Sequence, residues 1–96
     1  MPKAYVLIDL DVTDPERFAR YREMSTAAAA QYGGRFLVRG GRSEVLEGDS
    51  DPGRTVVLEF DDMEAARRWY GSPEYTVARE VRQAASTGSF LLVEGV

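Results

Sequence analysis

Apolar and polar positions alternate with a period of two over residues 4–12. Val6, Ile8, Leu10 and Val12 fall on one side, and Tyr5, Leu7, Asp9 and Asp11 on the other. That alternation predicts a half-buried β-strand. The period changes after Thr13-Asp14-Pro15-Glu16, a helix start with Asp14 as N-cap and Pro15 at the first helical position. Phe18, Tyr21, Ser25, Ala28 and Tyr32 then recur at spacings of three and four, a helical stripe that Gly33 ends by entering the left-handed region. The run from Ala27 to Ala30 is small on every side and permits close packing on a sheet.

Arg35 to Arg39 predicts a second strand, with Gly40-Gly41 bending it into a continuation from Ser43 to Glu47. Residues 48–53 have turn composition, and Arg54 to Phe60 alternates again as a third strand. Asp61-Asp62 caps a helix to about Tyr70, which Gly71 breaks and Ser72-Pro73-Glu74 restarts. Gly88 is expected to stop that segment, and Phe90 to Glu94 to form the last strand. The order β-α-β-β-α-β predicts a single α+β, ferredoxin-like domain over residues 1–96. Two helical segments then cover one face of a four-stranded antiparallel sheet.

The uncovered face carries the chemistry. With Val6, Ile8, Leu10, Phe36, Val38, Val56, Leu58 and Phe60 towards the helices, the other side presents Tyr5, Leu7, Asp9, Leu37, Arg39, Val57 and Glu59, joined by Leu92. An apolar patch of that size is more than soluble monomers usually expose, so isologous pairing into a homodimer is expected. Asp9, Arg39 and Glu59 on the same face suggest a cleft for a small polar ligand, with Asp9 or Glu59 as acid–base group. An interstrand ion pair would explain the same charges.

Composition narrows the chemistry further. The chain has no cysteine and no histidine, which removes thiol nucleophiles, Cys/His zinc sites, His-ligated haem and imidazole bases. No cofactor and no metal are expected. Asp49, Asp51 and Gly53 lack the further acids of a calcium loop and read as an acidic turn. Glu44 and Glu47 read as edge-strand charges that block edge pairing. A net charge of −4 disfavours nucleic acid and anionic membranes as partners. With no apolar leader or spanning segment visible, a cytoplasmic protein is expected. Pro2 has the residue type of an amine base once Met1 is removed, a role that is closed while Met1 acylates its nitrogen.

Two further groups are candidates for ligand binding. Arg39-Gly40-Gly41-Arg42 offers glycine N–H groups and two guanidiniums to an anion, against a plain strand hinge as the other reading. Tyr75 and Arg79, four apart on a helix, present one face to a ligand carboxylate or simply pack on the surface. Tyr21, Tyr32, Tyr70 and Tyr75 have the residue type to line a pocket or donate a proton, although aromatic residues at helical spacing, Trp69 included, read more readily as core.

Four pieces together closely resemble a bacterial family known as domain-of-unknown-function family 1330, within the dimeric α+β barrel superfamily. They are Tyr32 to Gly41, Asp14-Pro15, Trp69 to Tyr75 continuing to Arg79 and Arg82, and Leu92 to Val96. The resemblance implies a ferredoxin-like dimer with sheets facing each other. The wider superfamily includes cofactor-free monooxygenases acting on polyketide quinones, muconolactone isomerase-like enzymes and haem-degrading enzymes. Roles that such relatives assign to histidine have no counterpart in this chain. The expectation is a cofactor-free enzyme acting on a small acidic or carbonyl-bearing metabolite, or else a non-catalytic ligand-binding or accessory dimer.

Overall fold

The structure, a computed structural model, describes residues 2–49 and 53–96. The elements run β1 (Ala4–Val12), α1 (Pro15–Gln31), β2 (Arg35–Arg39), β3 (Arg54–Phe60), α2 (Met63–Tyr70), α3 (Pro73–Ala85) and β4 (Ser86–Glu94). All neighbours in the sheet are antiparallel, in the order β2-β3-β1-β4. This is the βαββαβ ferredoxin-like arrangement, with the second helical segment divided into α2 and α3.

Local chemistry sets the helix ends. Asp14 accepts from the Arg17 amide at 3.2 Å, and Asp62 from the Ala65 amide at 2.8 Å. Ser72 Oγ accepts from the Tyr75 amide at 3.1 Å while donating to the Trp69 carbonyl at 2.7 Å, so one hydroxyl ends α2 and starts α3. The inward faces of β1 and β3 meet Phe18, Tyr21, Ala28 and Ala29 of α1 and Trp69, Tyr75 and Ala78 of α2 and α3. Leu58, Phe60, Trp69 and Tyr75 are the largest fully buried side chains. Each contributes roughly 1.5–3 kcal/mol by leaving water.

Four sequence expectations need correction. The pairing of Phe36 with Leu58 and of Val38 with Val57 places a bulge at Leu37. Since strand side chains alternate, the extra residue turns Val38 to the open face and Arg39 to the helix side. Leu92 pairs with Val6 and therefore faces the helices, leaving Leu91 and Val93 on the open face. Gly88 does not stop the helix, which ends at Ala85, but lies inside β4 opposite Leu10 at φ 157°. A Cβ there would run into the Asp9 carbonyl, so glycine lets β4 continue. Residues 43–47 form no strand, because β3 begins only at Arg54 and the Gly40 amide closes the ladder on Thr55 at 2.8 Å. Glu44 and Glu47 are therefore loop residues. The turn expected over residues 48–53 lies partly outside the described residues.

Candidate functional site

Between α2 and the helix side of β4 lies a cleft of about 380 Å³, walled by Val6, Ala66, Trp69, Tyr70, Phe90 and Leu92. β4 is an edge strand, and α3 packs mainly on α1, so this part of the sheet is left partly uncovered. Phe90 also borders a second hollow of about 290 Å³, which Arg82 and Ser86 line from the other side. The Ser72 break folds Tyr70 and Tyr75 onto each other, with ring centroids 5.6 Å apart and Phe90 6.1 Å and 6.4 Å from them.

Arg67 of α2 is the charged residue that lines this cleft, and two arginines of α3 lie against its aromatic rings. Tyr75, Arg79 and Arg82 share one helix face at spacings of four and three. The Arg79 guanidinium lies 4.7 Å over the Tyr70 ring, and that of Arg82 lies 4.1 Å over Phe90. Arg82 Nη1 also donates to the Tyr75 hydroxyl at 2.8 Å, and that hydroxyl bonds Tyr21 at 2.8 Å. Arg82 is only 8% exposed, yet among the described residues neither it nor Arg79 has a carboxylate within ion-pair distance. Two like charges one turn apart, one of them buried, repel unless an anion joins them.

The phenols respond to this field in opposite directions. The Arg79 guanidinium holds Tyr70 below the ordinary phenol value against the effect of burial, with Arg82 adding to it. Burial pushes Tyr75 well above that value, so it stays a neutral hydroxyl. Tyr70 is thus the titratable group and Tyr75 a support for Arg82. In the wall beside them the Trp69 indole N–H is buried without an acceptor among the described residues.

The sequence-predicted residues are dispersed. Asp9 pairs with Thr55 and accepts from the Gly53 amide at 3.0 Å, whereas Glu59 pairs with Tyr5. Four residues of strand put the two carboxylates roughly 13 Å apart along the sheet. Glu59 accepts from Arg35 Nε at 2.9 Å, and this guanidinium holds its carboxyl below the ordinary range, which makes it a weak base. Arg39 is on the opposite side of the sheet, so the three expected residues line no common pocket. The Gly40 amide donates to the Thr55 carbonyl, and a Cβ at Gly41 would meet open space. Tyr75 and Arg79 do share a face, but Tyr75 is wholly buried and reaches a ligand only through Arg82. The sequence leaves Tyr70 open between pocket lining and core, and gives Arg82 no role of its own. The 75–79–82 spacing signalled Arg82, whereas Tyr70 joins them only through the bend at Gly71.

On the open face, Val38, Val57, Leu7 and Leu91 stand side by side as one apolar row across all four strands. Leu91 is 57% exposed and Leu7 41%. The rows beside it are Arg35, Glu59, Tyr5 and Val93 on one side, and Thr55, Asp9 and Ser89 on the other. No helix among the described residues is long and apolar enough to cross a membrane.

Solved structures place this architecture among known folds. RPA0582 from Rhodopseudomonas palustris, described as a protein of unknown function, superposes with a TM-score of 0.82 at 18% identity, covering 99% of this chain and 83% of that one. SnoaB from Streptomyces nogalater, described as a cofactor-independent oxygenase, gives 0.70 at 18% identity, over 97% of this chain and 92% of its own. A dimeric protein of unknown function with a ferredoxin-like fold from Bacteroides fragilis gives 0.58 at 12% identity, over 96% and 95%. At these identities the likeness is one of fold. No curated protein matches the chain. Residues 3–96 match the family described as Domain of unknown function (DUF1330), and the chain belongs to that family.

Proposed function

We propose that the chain is a homodimeric, cofactor-free enzyme that ionises a flat carbonyl-bearing molecule in the cleft beside Tyr70. One observation carries this reading: Arg79 and Arg82, without carboxylate partners among the described residues, stack on Tyr70 and Phe90, two rings of an aromatic-walled cleft, and lower the pKa of the Tyr70 phenol. Tyr70 as phenolate takes a proton from the carbon activated by the carbonyl. The guanidiniums behind the rings stabilise the negative charge of the enolate that forms. The apolar walls position the ring system and keep water away. An enolate of this class reacts with dioxygen directly, and the likeness to a cofactor-independent oxygenase supports that continuation. The expected homodimer rests on the apolar row of the open face, and the dimeric relative of the same fold supports it.

Anthrone is a suitable probe: loss of its acidic proton and uptake of one dioxygen give anthraquinone and one water. Tyr70→Phe should abolish anthraquinone formation and dioxygen uptake while anthrone still quenches the Trp69 fluorescence. Binding without turnover by the wild-type chain would favour a non-catalytic ligand-binding module. Absence of both binding and turnover would refute the reading.

A further inference from the structure

Away from the cleft, on the other side of the Tyr21–Tyr75 pair, lies a second group of cations. We propose that Arg22, Arg39 and Arg54 form a separate binding site for a small oxyanion of the phosphate class. Three features of the fold assemble it. The Leu37 bulge turns Arg39 to the helix side, where its guanidinium lies 3.9 Å over the Phe36 ring and donates to the Arg22 carbonyl at 3.0 Å. Gly40, at φ 70°, leaves room for the Arg54 guanidinium, which a Cβ at that position would strike. Arg22 comes from α1 to the same place. All three, with Tyr21 and Ser25, form the polar side of a cavity of about 20 Å³ whose remaining wall is apolar core, with room for about one oxygen-sized atom of the ligand. Arg22 and Arg39 continue into an open groove of about 320 Å³ with Ala19, Glu23 and Thr26.

The charges are unmatched. Among the described residues none of the three has a carboxylate within 4.0 Å, in a chain whose net charge is −4. Arg54 Nε is buried without an acceptor among the described residues. Burial, then the neighbouring Arg22 and Arg54 charges, hold Arg39 below the ordinary guanidinium value. Converging cations with open donors are what a missing anion leaves behind.

Tyr21 adds a hydroxyl to the cavity wall. The wholly buried Tyr75 hydroxyl accepts from Arg82 and shares a second hydrogen bond with the Tyr21 hydroxyl, in which either can donate. Donors from several directions suit a tetrahedral dianion. A planar carboxylate would engage one guanidinium fork and leave the others unmatched. Inorganic phosphate and the phosphate group of a larger metabolite share this chemistry, and the groove has space for an organic remainder.

The test is a titration of the full chain with inorganic phosphate, at ionic strength held constant with chloride, following the arginine Nε–H resonances. Saturable shifts of Arg22, Arg39 and Arg54 are expected, with a dissociation constant on the order of 1 mM. Arg39→Met and Arg22→Met should each weaken binding at least ~10-fold. Arg68→Met, with the same change of net charge, should leave it unaltered. Arg39→Lys, which keeps charge but not the fork, should bind at an intermediate level, guarding against a fold defect in the methionine variants. A second arm uses phenyl phosphate: tighter binding than inorganic phosphate assigns the site to a phosphorylated metabolite, and equal binding to phosphate itself. Shifts that do not saturate, or that survive Arg39→Met, would overturn the proposal.

Discussion

Replacing Arg82 with methionine separates a ligand-binding cation from a structural one. A buried guanidinium lacking a carboxylate among the described residues costs several kcal/mol in desolvation. Two contacts offset it: the bond to the Tyr75 hydroxyl, worth about 1.5–3 kcal/mol, and the face of Phe90 at 4.1 Å, worth up to about 2 kcal/mol. The terms nearly cancel, and methionine retains the apolar stem of the side chain. Urea denaturation of Arg82→Met should therefore give a stability within ~1 kcal/mol of wild type. Affinity for a flat anionic enol such as 2-hydroxy-1,4-naphthoquinone should fall roughly 10- to 150-fold, the loss of one charge-assisted contact. Absorbance titration of the coloured probe measures it. A loss of more than ~3 kcal/mol of stability with unchanged affinity would make Arg82 part of the scaffold, and the reasoning from unmatched charge would fail.

Two further outcomes test other links. Leu91→Lys, at the exposed end of the apolar row, should lower the mass in light scattering from twice 10.7 kDa to 10.7 kDa without unfolding the chain. A wild-type chain already monomeric at micromolar concentration would remove the dimer. In ultraviolet titration of the phenols, Tyr70 should ionise below the ordinary value of about 10, and Arg79→Met should raise it. The lowered pKa means that Tyr70 adds stability as pH rises through its folded value, fully present only above about 10. Tyr75 is raised, so its contribution is complete below about 10 and is lost as pH climbs through its folded value. A Tyr70→Phe variant that keeps the lowered ionisation would show that another phenol is responsible.

The strands, the capped helices and the ferredoxin-like order were legible because each depends on neighbours in the chain. Asp14, Asp62 and Ser72 meet amides three positions on, and the alternation of β1 needs only its own residues. The family could be read from short motifs for the same reason. The site was not legible, since its parts are brought together by contacts that no local pattern encodes. A single extra residue at Leu37 reverses the side on which Arg39 stands, because strand side chains alternate at every position. Pairing of Leu92 with Val6 likewise puts it in the core cleft, not on the open face. Tyr70 and Arg79 meet only because the chain turns between α2 and α3, and Arg82 becomes a buried cation only when Phe90 of β4 closes over it. Local sequence thus determined the elements and their order. Register and packing across the sheet decided which charges were left without partners, because electrostatic pairing depends on distance in space and not along the chain.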